Sequence, residues 1–499
     1  MASIKSQDSS AKSTDHVSRS KALAPSLTLP WAQEWRAESL LVTDRLTLMA
    51  YSQDLWPRKL LELREGGPAP EPSVEAVLWP DSTERLQEML GWAREAGCML
   101  VPYGAGSGVC GATVPSPAEA RPRVLVDLKK MRKVRELDRV SMTVTAEAGW
   151  IGENLERWLN QEGYTLGHFP SSIYCSSLGG YLATRSAGQL STKYGKIEDL
   201  VISLECVLAD GTVLESGRAP RSAMGPDWTQ LLLGSEGTLC FFTAARLQIS
   251  KLPEKRVMMG FAASDVERAL EFSRALLQGG LRPSVLRIYD PLETSLALNS
   301  AVLKEVGFPG GAALVVIFEG RAAVAEAESR EALQVASEIG LTPLGPKLGE
   351  HWWEHRYDVS YKQQLILSHS RMILDTFELA CTWDRILDVY KSVKDCRPLL
   401  GLVMAHFSHF YHTGANIYFT LVCHAGMTGT SAEKYDEVWR EFLRAAEAAG
   451  ATLSHHHGAG ILKNEWMRRE KGSWISIFER VKHGFDPENR LNPGKMGLS

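Results

Sequence analysis

A chain of 499 residues is longer than one ordinary hydrophobic core organises, so two or three domains are expected. It is 44% hydrophobic and 23% charged, the composition of a soluble globular protein, and 55 basic against 59 acidic side chains give none of the basic excess of a nucleic-acid binder. No run reaches the roughly 18 apolar residues of a membrane span, and the eight cysteines form no C-x-x-C pair, which reads as reduced core thiols of an intracellular protein.

Residues 1–30 hold seven serines in the first twenty positions and read as a disordered tail without the apolar core of a secretory signal. Asp8 and Asp15 also interrupt the acid-poor composition of a transit peptide. A cytoplasmic location is expected; peripheral contact with a membrane stays open. Residues 31–70, rich in Trp, Leu and Arg, are expected to form short helices packed on a later domain, ending in G-G-P-A-P-E-P.

From Val74 strand and helix alternate. E-A-V-L-W-P predicts a strand. Leu86, Met89, Leu90 and Ala93 then recur at helical spacing between Ser82 as cap and Gly97 as stop. Strands are predicted at 99–102, 124–128 and 142–146, and the apolar runs within 200–216 meet at Asp210-Gly211, a hairpin signal. Beyond Leu252-Pro253 the pattern predicts a second α+β unit. Its strands are V-M-M-G-F-A-A, S-V-L-R-I-Y-D and A-A-L-V-V-I-F-E, with helices at 265–279, 321–339 and 431–449 and a hairpin-like 402–423. Residues 460–499 read as helix followed by a turn-rich tail.

The stretch V-P-Y-G-A-G-S-G-V-C-G, 101–111, puts four glycines directly after a strand. Glycines let successive backbone N–H groups converge on phosphate oxygens. The loop is not a nicotinamide-type G-x-G-x-x-G, which opens a helix and precedes an acidic residue by about 20 positions, nor a Walker loop, since no G-K-[ST] follows. Downstream come H-F-P-S-S-I-Y-C-S-S-L-G-G-Y-L-A-T-R-S-A-G, K-Y-G-K-I-E-D-L and L-L-G-S-E-G-T-L-C, again rich in small and hydroxylated residues.

These blocks, in this order, resemble the FAD-binding domain of the vanillyl-alcohol-oxidase (PCMH-type) flavoproteins. The resemblance implies an α+β fold: a PCMH-type FAD-binding domain at 71–252, an α+β cap at 253–459, and a C-terminal segment, 460–499, returning to the FAD domain. By position it implies FAD contacts from Pro102, Tyr103, Gly104, Ala105, Gly106, Ser107 and Gly108, and from Ser171, Ser172, Ile173, Tyr174, Cys175, Ser176 and Ser177. It adds Thr184, Arg185, Ser186 and Ala187, with Gly234, Ser235, Glu236, Gly237, Thr238, Leu239 and Cys240. Some relatives tether FAD through a histidine in the first loop; none stands here, so noncovalent FAD is expected.

Hydroxy-acid dehydrogenases of this group carry G-H-x-G-D-G-N-x-H and a later E-H-G, whose histidines and glutamate bind a divalent metal. Here F-Y-H-T-G-A-N-I-Y-F puts Tyr411 and Tyr418 on the histidine positions, and S-H-H-H-G-A-G puts His456 on the glutamate. That is a poor set for a hard cation, and no metal is expected. His406 and His409, on one predicted strand, would carry the competing metal reading. The replacement pattern, with G-H-F-P-S-S at 167–172, resembles the alkyldihydroxyacetonephosphate synthase (alkylglycerone-phosphate synthase) branch. That likeness implies exchange of the acyl group of acyl-dihydroxyacetone phosphate for a long-chain alcohol, in ether-lipid synthesis. In that branch a base removes the C1 proton and a flavin N5 adduct carries the skeleton.

It implies Tyr411, His455, His456, His457 and His168 as catalytic residues, imidazole serving as a proton carrier near neutrality. Arg287, Tyr418 and Lys362 are the implied substrate contacts. The partner is a small-molecule or lipid substrate; a homodimer stays open. One position departs: Gln363 stands where the branch keeps a phosphate-binding arginine, and glutamine does not replace a guanidinium fork. Lys362, Arg356 and Arg371 are the alternative cations. The competing readings are an FAD-dependent oxidase or dehydrogenase of a D-2-hydroxy acid or other alcohol, and a catalytically idle lipid- or flavin-binding protein.

Overall fold

The computed structural model describes residues 30–65, 71–116, 119–358, 371–396 and 401–498. The tail at 1–29, Lys362 and Gln363 lie outside the described residues.

The helix Thr83–Glu95 forms as its spacing predicts. Ser82 Oγ accepts from the Arg85 N–H at 3.1 Å, and Leu86, Met89, Leu90 and Ala93 are buried. Gly97 stops it at φ +65, a left-handed angle that costs glycine least. This helix covers a four-stranded sheet ordered Leu41–Val42, Ala76–Leu78, Arg123–Asp127, Met99–Tyr103. The last three strands are parallel, while Leu41–Val42 adds antiparallel to the edge. The expected all-helical 31–70 segment therefore also supplies a strand. Its later helix, Pro57–Arg64, lies against the helix Ser431–Ala448, where Arg58 pairs with Asp436 at 2.8 Å and Trp56 Nε1 donates to the Tyr435 hydroxyl at 3.2 Å.

A second, antiparallel sheet runs Val134–Asp138, Thr143–Glu147, Phe241–Gln248, Val201–Val207, Val213–Glu215. Its last two strands are the hairpin expected at Asp210-Gly211, with Gly211 at φ +89.

The third sheet is antiparallel and seven-stranded: Thr342–Gly345, Lys255–Ala263, Ala312–Gly320, Val285–Tyr289, Leu402–Tyr411, Gly414–His424, Met372–Thr382. Alternation along its strands divides two faces. Phe261, Leu286, Ile288, Leu314 and Val316 pack under the helices Val266–Gln278, Ala322–Ile339, Ile386–Asp395 and Ser431–Ala448. On the opposite face Val285, Tyr289, Val315 and Ile317 meet Leu190 of the first half and Trp352 of the helix Lys347–His355. The functional cavity opens on that second face. Met372–Thr382, which carries F-E-L-A-C-T, and Lys347–His355 escaped sequence reading because neither shows a clean apolar period.

The chain end folds back on the first sheet. Leu100 N–H donates to Arg490 C=O and Asn492 N–H to Leu100 C=O, both at 2.8 Å, forming a parallel bridge between Leu100 and Leu491. Lys482 Nζ donates to the carbonyls of Thr238 and Leu491 and pairs with Asp486.

Candidate active site

A cavity of about 1130 Å³ lies between the glycine loop, residues 170–187 and the third sheet. Small-ligand pockets occupy about 300–1,000 Å³, so this one has room for a dinucleotide and a second molecule.

The cradle side is built by close backbone approach. Gly106 has φ +68, and a Cβ there would stand 2.0 Å from the Tyr103 hydroxyl; a Cβ on Gly104 would stand 2.3 Å from Ser177 Oγ. Of the residues expected to contact FAD, Pro102 through Gly108, Ser171, Ser172, Tyr174, Cys175, Ser176, Thr184, Ser186, Ala187, Glu236, Gly237 and Cys240 line the cavity. Ile173, Ser177, Arg185, Gly234, Ser235, Thr238 and Leu239 stand behind that lining. Ser177 caps the helix Leu178–Thr184 by accepting from Gly180 N–H at 3.2 Å. Arg185 turns away, donating to the carbonyls of Leu233 at 3.0 Å and Gln230 at 2.6 Å. The carboxylate of Glu236 faces the other motif, accepting from the N–H groups of Ala459 at 2.6 Å and Gly460 at 2.8 Å.

Asp54 was not foreseen. It is buried, lines the cavity, and accepts from Trp56 N–H through Oδ1, while Oδ2 has no hydrogen-bond partner. Burial pushes its carboxyl up to about 6. Thr113 Oγ1, another lining atom, is likewise buried without a partner. Two orphaned polar atoms beside a glycine cradle fit a ligand bearing hydroxyl and N–H donors, as the ribityl, ribose and ring edges of FAD do.

The opposite wall is a row of register partners. Glu378 lies beside Tyr418, Tyr418 beside His406, and His406 beside Tyr289, across four adjacent strands. Tyr418 donates to Thr376 Oγ1 at 3.0 Å and stacks on His406 at 4.7 Å between ring centroids. His456 and His457 complete this wall, with their ring centroids 6.2 and 5.7 Å from that of Tyr418.

His409 reaches the cavity by a backbone irregularity. Positions three apart on a regular strand point to opposite faces. A bulge between Ser408 and Phe410, with His409 at φ +51, turns its imidazole to the same side as His406. Its Nδ1 shares a hydrogen bond with Ser191 Oγ at 2.7 Å.

Tyr411 and His455 stand one layer back. The Tyr411 hydroxyl meets His455 Nε2 at 2.8 Å, and His455 Nδ1 meets His456 Nδ1 at 2.8 Å while the His455 ring stacks on His409, so both reach the cavity through the histidines that line it. Of Tyr411 and Tyr418, it is Tyr418 that lines the cavity. His168 is also enclosed: its Nε2 lies 3.2 Å from Ser186 Oγ and its Nδ1 has no partner. Burial holds His168 and His409 down to about 3 and His457 to about 4, and lowers His455 and His456 well below the ordinary imidazole range. The same burial pushes Tyr418 up to about 12. The wall is thus a set of neutral imidazoles and a neutral phenol.

Glu378, fully buried, holds the triplet in place. It accepts from the backbone N–H of His455, His456 (3.4 Å) and His457 (3.0 Å), from Ser454 Oγ at 2.9 Å and from Lys463 Nζ at 3.1 Å. Its only sequence signal was its place in F-E-L-A-C-T-W-D-R. Arg287 lines the cavity, its guanidinium 5.0 Å from the Tyr289 ring centroid and its Nε without a partner. Arg356 also lines it, over the Trp353 ring, while Arg371 donates to the carbonyls of Gly426 and Gly429 and is spent on that turn. Among the described residues no group of three or more His, Cys, Asp or Glu is arranged to hold a metal ion.

Residues 74–217 match the FAD binding domain family, and residues 252–496 match the C-terminal domain of the FAD linked oxidases. The chain is 29% identical to an alkyldihydroxyacetonephosphate synthase of Dictyostelium discoideum, over 91% of this chain and 78% of that one. It is 30% identical to an FAD-linked oxidoreductase of Escherichia coli O157:H7, covering 91% of this chain and 95% of the relative. A solved alkyldihydroxyacetonephosphate synthase structure superposes with a TM-score of 0.77 at 25% identity, over 95% of this chain and 84% of that one.

Proposed function

Because this chain belongs to the FAD-linked oxidases and resembles their alkyldihydroxyacetonephosphate synthase branch, we propose that it is an FAD-dependent enzyme exchanging an ester-linked acyl group for a long-chain alcohol. The substrate is acyl-dihydroxyacetone phosphate, and the product carries an ether bond. One observation carries this reading: Tyr418, His406, His456 and His457 form a neutral proton-handling wall, in which Tyr418 and His456 stand on positions where hydroxy-acid dehydrogenases of the group keep metal ligands. In this reading 71–252 is the FAD-binding domain, 253–459 the cap, and 460–499 the returning segment.

FAD, when bound, supplies an electron-poor ring nitrogen able to take up a carbanion-like carbon and to release it again once the carboxylate has left. The chain's residues do the rest. Glycines 104 and 106 admit the diphosphate, and Asp54 Oδ2 accepts from a cofactor donor. FAD is held noncovalently, since no histidine stands in the 101–111 loop. Arg356, which lines the cavity, supplies positive charge to the substrate phosphate, while Arg287, with its unpartnered Nε, faces the reacting end of the substrate. Leu55 and Leu60, exposed apolar residues of the lining, and Leu298 give the aliphatic chains a surface to follow. Tyr418 delivers or accepts the proton on the exchanging oxygen. The enzyme works in the cytoplasm, touching membranes peripherally for its lipid substrates.

The second reading, net oxidation of a hydroxy acid or alcohol, draws on the Escherichia coli oxidoreductase. Anaerobic mixing separates the two. Alcohol-for-acyl exchange with no electrons passed to an added acceptor supports the synthase reading; lasting flavin bleaching by a hydroxy acid overturns it. Release of all flavin by acid precipitation checks noncovalent binding.

A further inference from the structure

Four imidazoles stand together on the sheet side of the cavity, and their second nitrogens are held differently. His409 Nδ1 is tied to a serine hydroxyl, His456 Nδ1 to another imidazole, and His457 Nδ1 lies 3.7 Å from Glu378. His406 Nδ1 meets the Glu293 carboxylate at 2.8 Å. A carboxylate only accepts, so Nδ1 carries the hydrogen and Nε2 keeps its lone pair. Among the described residues Nε2 has no hydrogen-bond partner.

Glu293 is itself rigidly placed. It stands in the first turn of the helix Pro291–Ala297, and its N–H donates to the capping Asp290 at 2.7 Å. Lys394 Nζ fixes Asp290 in turn at 2.8 Å. Stacking on Tyr418 fixes the plane of the His406 ring. Arg287 shares this wall, with its Nε buried and unpartnered. A carboxylate-oriented imidazole beside a guanidinium whose Nε is unpartnered is an arrangement suited to proton abstraction next to a carbonyl.

Resting on the acyl-exchange reading, we propose that His406 is the base that removes the C1 proton, with Glu293 as its positioning residue and Arg287 facing the oxygen that gains charge. The C1–H bond breaks, its proton passes to His406 Nε2, and its electron pair moves through the adjacent carbon onto the carbonyl oxygen. Arg287 donates to the resulting enolate. Reversal from deuterated water returns a deuteron to C1, so exchange reads this step without the alcohol.

Burial, then Arg287, lowers the His406 pKa, while Glu293 and Asp290 act in the opposite direction. Tyr418, Tyr289 and His409 are its other titratable neighbours.

The test incubates FAD-loaded enzyme with acyl-dihydroxyacetone phosphate in deuterated water and follows C1 by NMR. The unsubstituted enzyme is expected to incorporate deuterium. His406→Asn and His406→Gln are expected to lose about 10²- to 10⁴-fold in exchange rate, the span of a general base, with the flavin spectrum and FAD content unchanged. Glu293→Gln should lower the rate and move the pH profile of exchange to lower pH, and Glu293→Asp should restore part of both. No exchange by the unsubstituted enzyme overturns the acyl-exchange reading and this assignment with it. Exchange by both His406 variants within threefold of the unsubstituted rate overturns the assignment alone.

Discussion

The carboxylate of Glu378 lies 3.1 Å from the ammonium of Lys463, and both side chains are closed off from solvent. The same carboxylate receives the three N–H groups of the histidine triplet, so one charge fixes a loop that would otherwise present unpaired donors. Glu378→Gln leaves Lys463 buried without its counter-charge and should cost about 3–5 kcal/mol, read by urea unfolding at pH 7. Against the penalty of burial, Lys463 and then His457 hold Glu378 below the usual carboxylate range. A depressed acid stabilises the fold above its unfolded pKa, and that contribution is lost as pH falls through the folded value. Acid unfolding of the unsubstituted protein should therefore be steeper than that of the variant.

Tyr418 and Tyr411 look equivalent in Y-H-T-G-A-N-I-Y, yet only Tyr418 faces the cavity. Tyr418→Phe should lower acyl exchange about 10²-fold or more, the usual worth of a proton-transferring group. Tyr411→Phe, which removes one hydrogen bond to His455, should lower it less than tenfold. Steady-state rates of the two variants at matched FAD content check the ranking.

Gly106 sits at φ +68 with its missing Cβ directed at the Tyr103 hydroxyl. Alanine there pays about 1–2 kcal/mol for the left-handed backbone before any steric shift. Gly106→Ala should weaken FAD at least tenfold, measured by flavin fluorescence on titration of the apoprotein. A Gly163→Ala control, also at positive φ but with open space around it, should leave FAD affinity within twofold.

Asp54 should show two opposed effects. Its folded pKa of about 6 exceeds the model-compound value of 3.8, so the folded state binds more protons than the unfolded state between those values. Stability from this group is therefore present at low pH and lost as pH rises through about 4 to 6. Asp54→Asn should stabilise the apoprotein at pH 8 by up to about 3 kcal/mol, from roughly two pKa units at 1.36 kcal/mol each. The same change should weaken FAD binding, since the orphaned Oδ2 acceptor is gone. Chemical unfolding of the apoprotein and FAD titration check the two halves separately.

Local features were legible and long-range ones were not. Ser82 and Gly97 bounded their helix, and Asp210-Gly211 its hairpin, because capping and turn chemistry act within a few residues. The glycine loop was legible as a cradle only beside the downstream blocks that carry the resemblance, since four glycines alone fit a structural turn equally well. The choice between Tyr411 and Tyr418 was not, because it depends on how strands separated along the chain are set side by side. His406 and His409 were expected on one strand and do share a face, but the bulge that brings His409 there was not legible, since nothing in H-F-S-H-F marks it. Glu378 and Lys463 lie far apart in sequence, and Glu293 reaches His406 from a helix with no periodic signal of its own. Such pairs are set by sheet order rather than by spacing. Glu236, placed among the FAD contacts by the resemblance, lines the cavity, and that its carboxylate also braces residues 459 and 460 was not legible.

The parallel bridge between Leu100 and Leu491 bears on biosynthesis. The strand leading into the glycine loop leaves the ribosome well before the segment that pairs with its free edge, because Leu491 follows Leu100 across the whole of the intervening two sheets. Nascent chains must therefore hold that edge open while the intervening residues emerge, and flavin loading waits for the segment around Leu491. A ribosome-stalled chain lacking residues 480–499 should stay colourless in the presence of excess FAD, and should turn yellow once the stall is released.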